Sequence, residues 1–253
     1  MEPLAHKVRP KDMKGFVFTS ENIVLKDYIN DNNIFSMLFW GPPGTGKTTL
    51  AKIICNVLDL NFIEISAVTS GVKDLRECVE KAKNLFLFSR VRTILFVDEI
   101  HRFNKMQQDY LLPHVEKGTL TLIGATTENP AFEVNNALLS RIKVFKFDKI
   151  PQSEIKKYLL NVSQNEKIVI KEEIIDFICN ISDGDLRKSL NSLEFLSKKE
   201  NLTLEEAKKL LNRNIFYDQE WHYNMISALH KSLRDSDVDA SLYWAFRMLN
   251  GGE

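Results

Sequence analysis

Between an apolar run, Met37–Trp40, and a helical stripe made by Leu50, Ile53, Ile54, Val57 and Leu58, the chain carries Gly41-Pro42-Pro43-Gly44-Thr45-Gly46-Lys47-Thr48. The pattern is GxxxxGK followed by Thr, and it has the context that gives it meaning, a strand before it and a helix after it. Glycines let the backbone fold around a multiply charged anion, so that N–H groups of the loop and of the helix N-terminus face it. Lys47 then neutralises the outer oxygens of a triphosphate, and the Thr48 hydroxyl suits a Mg²⁺ ion. Gly41, Pro42, Pro43, Gly44, Thr45, Gly46, Lys47, Thr48 and the adjoining Thr49 are therefore the expected nucleotide-binding residues.

The first 150 residues alternate short apolar runs with helical stripes, which predicts an α/β unit in three layers. Strands are expected at Ser36–Trp40, Asn61–Ile65, Thr93–Val97, Leu120–Ala125 and Lys143–Phe147. The gaps between most of them hold a crossover helix, so the sheet should be largely parallel. From Pro151 onward the strand pattern stops. Ile155, Tyr158, Leu159 and Val162 fall at helical spacing, as do Ile174, Phe177, Ile178 and Ile181, and then Leu186, Leu190 and Leu193. Thr203 with Glu206 forms a capping box for a helix running through Leu211. Beyond Asn214 the spacing predicts a short helix over Met225–Leu233 and another through Leu242, Ala245, Phe246 and Leu249, with Asp239 as its N-cap. The expected division is an α/β unit over 1–150, a small helical unit over 151–213 and a further helical segment over 214–253.

The run Thr93–Val97 ends in Asp98-Glu99, two carboxylates at the end of a buried strand. With a phosphate loop upstream, Asp98 suits the hydration shell of Mg²⁺ and Glu99 suits orienting an attacking water, since phosphoryl transfer needs positioning and charge neutralisation. Leu122–Ala125 runs likewise into Thr126-Thr127-Glu128-Asn129, polar groups placed to meet water or the γ-phosphate, or else a plain capping turn. Arg141 before the last strand and Arg187 at the head of a helix each offer a positive charge for a γ-phosphate. His101, Arg102 and Phe103 admit two readings. They suit coupling nucleotide state to DNA or to a neighbouring subunit, or Phe103 simply packs while Asn104 and Gln107 cap a helix that Pro113 ends or kinks.

Composition excludes other classes. With 34 basic and 34 acidic residues and a formal net charge of zero, the chain does not coat nucleic acid by bulk charge, and any DNA must be held by a local patch. Apolar residues make up 44% of its 253 positions, too many for a disordered chain. Cys55, Cys78 and Cys179 are far apart and form no CxxC pair, so they read as reduced and intracellular. His114, His222 and His230 lack metal-ligand spacing, which leaves nucleotide-borne Mg²⁺ as the expected metal. No stretch approaches the roughly 18 apolar residues of a membrane span.

With these residues in view the chain resembles the AAA+ ATPases of the clamp-loader clade. More closely, it is similar to the bacterial RarA (MgsA) replication-associated recombination proteins and their eukaryotic relatives, the Werner helicase-interacting ATPases. The likeness is carried by Asp98-Glu99-Ile100-His101-Arg102-Phe103-Asn104-Lys105, Gln107-Gln108-Asp109, Leu111-Leu112-Pro113-His114-Val115-Glu116, Leu122 through Pro130, Ala137-Leu138-Leu139-Ser140-Arg141, His222-Tyr223 and Leu242-Tyr243-Trp244. It implies a P-loop NTPase (AAA+) α/β sandwich with a parallel sheet, a small helical lid and the start of a helical C-terminal domain. It further implies that ATP is the nucleotide, that Asp98 and Glu99 are the Walker B acids, that Thr127 is sensor 1, and that Arg187 is sensor 2. Arg141 matches the finger that acts in trans, and Arg9 and Pro10 match the arm near the adenine. Lys7 replaces the first of the family's paired arginines, Thr19-Ser20 replaces its Gly-Gln, and Asp235-Ser236 replaces its Gly-Ser, which argues against a sharp turn there.

The resemblance implies a Mg²⁺-dependent ATPase stimulated by DNA, acting as an ATP-switched oligomeric remodeler at stalled replication forks. Its implied partners are single-stranded or forked DNA, single-strand-binding protein and further copies of itself, in the cytoplasm at the nucleoid. Two alternatives are an ATP-controlled assembly module that recruits fork proteins and a clamp-loader or branch-migration subunit. The family continues past Glu253 into an oligomerisation domain, so 214–253 is expected to be the opening of a truncated one. Trp221, Tyr243, Trp244 and Phe246 would then be short of partners and the chain would assemble poorly.

Overall fold

The computed structural model describes residues 2–199, 201–215 and 219–251, with side chains described outside 212–223 and 250–251. Five parallel strands form one sheet: β1 Met37–Trp40, β2 Asn61–Ser66, β3 Thr93–Asp98, β4 Thr121–Thr126 and β5 Lys143–Lys146. Their order across the sheet is β2-β3-β4-β1-β5. Helices α1 Leu4–Lys7, α2 Leu25–Asn30, α3 Lys47–Val57, α4 Val72–Ser89, α5 Lys105–Glu116, α6 Pro130–Glu133 and α7 Asn136–Leu139 accompany it, and a 3₁₀ turn at Ile100–Arg102 follows β3.

Alternation along the strands assigns each helix to a face. Met37, Phe39, Ile94, Phe96, Ile123, Ala125, Phe145 and Phe147 point to one side, where Leu25 and Ile29 of α2 and Leu50, Ala51, Ile53 and Ile54 of α3 cover them. Leu38, Leu95, Val97 and Leu122 point to the other, against Leu75, Val79 and Ala82 of α4, Leu111 of α5 and Leu138 of α7. Being covered on both sides, β3 is a continuous apolar run, as buried parallel strands are. Leu50, Ile53 and Ile54 are fully buried, and burying side chains of this size stabilises the fold by about 1.5–3 kcal/mol each. α3 is thus fixed to the sheet directly behind the phosphate loop.

Past Pro151 come α8 Gln152–Asn165, α9 Glu172–Ser182, α10 Leu186–Ser197 and α11 Leu204–Ile215. Ile155, Leu159, Ile174, Ile178, Leu190, Leu193 and Leu211 bury one another in a separate core, which also takes in Leu4 from α1. The backbone N–H of Leu4 donates to the Glu194 Oε2 of α10 at 2.8 Å, so the N-terminal arm is tied to the helical unit rather than to the sheet. At α11, Glu206 N–H donates to Thr203 Oγ1 at 3.3 Å and Thr203 N–H to Glu206 Oε2 at 3.0 Å, the two halves of a capping box. α12 Gln219–Arg234 and α13 Val238–Gly251 pack on each other, with Leu233, Leu242, Phe246 and Leu249 exposed along them. The side chain of Trp221 lies outside the described residues, as do residues 216–218, Gly252 and Glu253.

Three local expectations are corrected. Pro113 does not end α5, which continues through it to Glu116, and Asn104 with Gln107 caps its start at 3.0 and 2.9 Å. The residue that caps α13 is Asp237, whose Oδ1 accepts from Ala240 N–H at 3.0 Å, and Asp239 lies inside the first turn. A sharp turn does form at Asp235-Ser236. Ser236 takes φ +57°, and Asp237 N–H reaches back to Ser232 O at 3.0 Å. Serine accepts there the left-handed conformation that glycine holds more cheaply. Among the described residues no helix is long and apolar enough to cross a membrane.

Candidate nucleotide-binding site

Because β1, β3 and β4 are parallel and adjacent, their carboxyl ends share one edge of the sheet, where ligands of open α/β sheets bind. Trp40 stands level with Thr126, and Gly41 N–H donates to Thr126 O at 3.1 Å, so the loop after β1 begins beside the end of β4. Ser66 stands level with Asp98 at the end of β3. A cavity of about 330 Å³ opens at this edge, within the range of small-ligand sites. It is lined by Pro43, Gly44, Thr45, Gly46, Lys47, Thr48 and Thr49 from the loop and α3, by Asp98 and Glu99, and by Thr127.

α3 starts at Lys47 behind Gly46, which has φ +94° and no side chain to cap the helix. The first N–H groups of α3 are thereby left for an anion. Lys47 Nζ donates to Gly41 O at 2.6 Å and Pro42 O at 2.7 Å, and the Thr45 hydroxyl donates to Pro42 O at 2.9 Å. Gly41 and Pro42 do not line the cavity. Their carbonyls accept from the lysine and hold it at the base of the loop. Burial lowers the pKa of Lys47 to about 8, against the charges of Glu99 and Asp98, which raise it. An incoming anion would offset that loss of solvation.

Burial also raises the pKa of Asp98, and the neighbouring Glu99 charge adds to the effect while Lys47 opposes it. Asp98 and the Thr48 hydroxyl are hard oxygen donors on one cavity wall, a fit for Mg²⁺, which keeps several waters and takes one or two protein ligands beside phosphate oxygens. Glu99 has φ +52° and ψ +50°, a left-handed conformation in a non-glycine residue. Its Oε2 lies 3.3 Å from Thr127 N–H and 3.4 Å from Thr127 Oγ1, so the turns after β3 and β4 are joined across the site.

The opposite wall comes from the helical unit and the arm. Arg187, Leu190 and Asn191 of α10, Tyr158 of α8, and Pro3, Ala5, His6, Arg9 and Pro10 complete the cavity. Asp185 caps α10 by accepting from Lys188 N–H at 2.9 Å, and Leu186 N–H donates to Gly44 O at 3.3 Å, which seats the head of α10 on the loop. Arg141 is not at this cavity. Its guanidinium donates to Ala137 O and Ser140 Oγ and pairs with Glu116, with the side chain 37% exposed. His6, Tyr158 and Asn191 had no sequence signal as site residues. Tyr158 reads as one of an apolar stripe, yet its hydroxyl donates to Val8 O at 2.8 Å and fixes the arm beside the cavity.

A parallel sheet with a phosphate loop at its carboxyl edge and a helical unit seated over that loop defines a P-loop ATPase fold of the AAA+ type. Comparisons with known proteins agree. Residues 37–149 match the family model described as ATPase family associated with various cellular activities (AAA), and residues 164–234 match the AAA C-terminal domain. Replication-associated recombination protein A of Haemophilus influenzae is 44% identical over 99% of this chain and 60% of its own length. ATPase WRNIP1 of Dictyostelium discoideum is 41% identical over 99% of this chain and 32% of its own. The chain therefore carries an AAA ATPase domain followed by an AAA C-terminal domain, and it is similar along its length to replication-associated recombination protein A and WRNIP1. It spans about three fifths of the length of the relatives called replication-associated recombination protein A in Haemophilus influenzae, Coxiella burnetii and Escherichia coli. In fold it is similar to the RuvB Holliday junction branch migration motor of Thermotoga maritima, with TM-score 0.69 and 24% identity over 89% of this chain and 79% of that one.

Proposed function

We propose that this protein is a Mg²⁺-dependent ATPase acting on DNA, or on protein bound to it, at stalled replication forks, with hydrolysis stimulated by DNA. One observation carries the chemistry: Lys47, Asp98 with Glu99, Thr127 and Arg187, brought from four separate stretches of chain, line one cavity. Lys47 and the α3 N-terminus bind the phosphates, and Thr48 with Asp98 holds Mg²⁺, which when bound neutralises charge on the phosphate oxygens. Glu99 orients the attacking water and Thr127 holds that carboxylate. Arg187 adds positive charge at the γ-phosphate from the same chain, and Arg141 does so from a neighbouring copy. Arg9 and Pro10 flank the adenine.

The names of the relatives support the setting in replication-associated recombination. Single-stranded or forked DNA, single-strand-binding protein and further copies of the chain are the partners in this reading, in the cytoplasm at the nucleoid. The division at residues 150 and 213 into sheet unit, lid and C-terminal segment belongs to the same reading.

ATP binding and turnover, measured with and without forked DNA, test it. Lys47→Ala should weaken nucleotide binding, whereas Glu99→Gln should keep ATP bound and lose at least about a hundredfold in turnover. Equal loss of binding in both variants would overturn the roles, and a rate indifferent to DNA would overturn the DNA-stimulated part.

A further inference from the structure

His101 sits in the 3₁₀ turn after β3, with its side chain only 8% exposed. Its Nδ1 lies 2.9 Å from Thr126 Oγ1 and 3.2 Å from Glu99 Oε2. The roles in this group can be assigned from the fixed donors. Glu128 N–H donates to Thr126 Oγ1 at 3.0 Å, and the Thr126 hydroxyl hydrogen has Glu128 O at 3.4 Å as a further acceptor. A bare Nδ1 would turn a lone pair toward the Glu99 carboxylate, so the tautomer that satisfies the network carries its proton on Nδ1 and shares it between Glu99 and Thr126.

Three donors then converge on the same carboxylate oxygen: His101 Nδ1, Thr127 N–H and Thr127 Oγ1. Among the described residues no hydrogen bond falls on Glu99 Oε1. A carboxylate pinned by one oxygen presents the other to whatever enters the cavity. The backbone of Glu99 is left-handed, a conformation unfavourable in a residue bearing a Cβ. His101 does not line the cavity, whereas Glu99 does.

We propose that His101 is a positioning residue for Glu99, tying its carboxylate to the buried end of β4 so that Oε1 faces the attacking water. The inference rests on the reading of Glu99 as the group that orients this water. Four variants separate the two claims: Glu99→Gln, His101→Ala, His101→Asn and the double variant Glu99→Gln/His101→Ala. In each, kcat for ATP and the affinity for a fluorescent ATP analogue are measured. His101→Ala should lower kcat at least about tenfold while analogue affinity stays within about twofold. His101→Asn, whose amide nitrogen falls near the place of Nδ1, should recover most of the rate. In the Glu99→Gln background, removing His101 should change turnover no further.

Wild-type kcat in His101→Ala beside a dead Glu99→Gln overturns this proposal alone. Parallel loss of kcat and affinity in both His101 variants overturns it too, since that is what a purely structural histidine gives. Wild-type turnover in Glu99→Gln overturns the reading of Glu99 and this proposal with it.

Discussion

Gly44 shows how a single missing side chain lets two distant parts of the chain meet. Its φ is +69°, and a Cβ built on it would stand 1.7 Å from Asp185 Oδ1, the atom that caps α10. Gly44→Ala must therefore displace the Asp185 carboxylate that caps α10 against the loop, besides adding left-handed strain of about 1 kcal/mol. Gly118 separates the two effects, because it has φ +64° and nothing within 4 Å of an added Cβ. Gly118→Ala should lower stability by about 1 kcal/mol and leave nucleotide affinity unchanged, whereas Gly44→Ala should lower affinity at least about tenfold. Thermal unfolding together with nucleotide titration of the two variants checks this. Equal affinities would show that the lid contact at Gly44 is dispensable. The glycine letters were legible in the sequence because the loop pattern is local. The partner of Gly44 was not, since Asp185 lies far along the chain and nothing in its residue type points to the loop.

At the level of elements, all five strands lie within a residue or two of where apolar alternation put them, because a strand covered on both faces has little freedom in composition. Caps were legible where two residues signal each other, as at Thr203 with Glu206, and missed where one acid was chosen from several, as at Asp237. The α11 cap also has a pH signature. Hydrogen bonds from the Thr203 backbone N–H and hydroxyl hold the Glu206 pKa below the ordinary carboxylate range. A carboxylate whose folded pKa is depressed contributes stability above its unfolded pKa and loses it as pH falls through the folded value. Glu206→Gln should therefore lower Tm at pH 6, and the gap to the parent protein should close as pH falls below the unfolded glutamate pKa of about 4.3. A gap that stays constant over this range would mean that the charge plays no part in the cap.

For the molecule as a whole, the sequence separated a sheet unit from a helical one but left open how the second sits on the first. Leu186 N–H on Gly44 O, Ile150 N–H on Gly184 O and Leu4 N–H on Glu194 answer that, and none of the three has a signature in residue type. The two arginines follow from this seating. Arg187 reaches the cavity of its own chain because α10 begins over the loop, while Arg141, after α7, is held on the outer surface by Glu116. A charge outside its own cavity serves hydrolysis only through a head-to-tail contact that brings it to the next copy's loop. Loop and finger then come from different chains, so an inactive Arg141→Ala protein mixed with an inactive Lys47→Ala protein should regain activity. In a random one-to-one mixture about one quarter of interfaces join an intact loop to an intact finger, and recovery should approach that fraction of the parent rate. Arg187→Ala mixed in the same way with Lys47→Ala should recover nothing, because every cavity then lacks either its own loop lysine or its own Arg187. Mixed oligomers verified by sedimentation that stay inactive with Arg141→Ala would place that arginine in the fold alone, bound to Glu116.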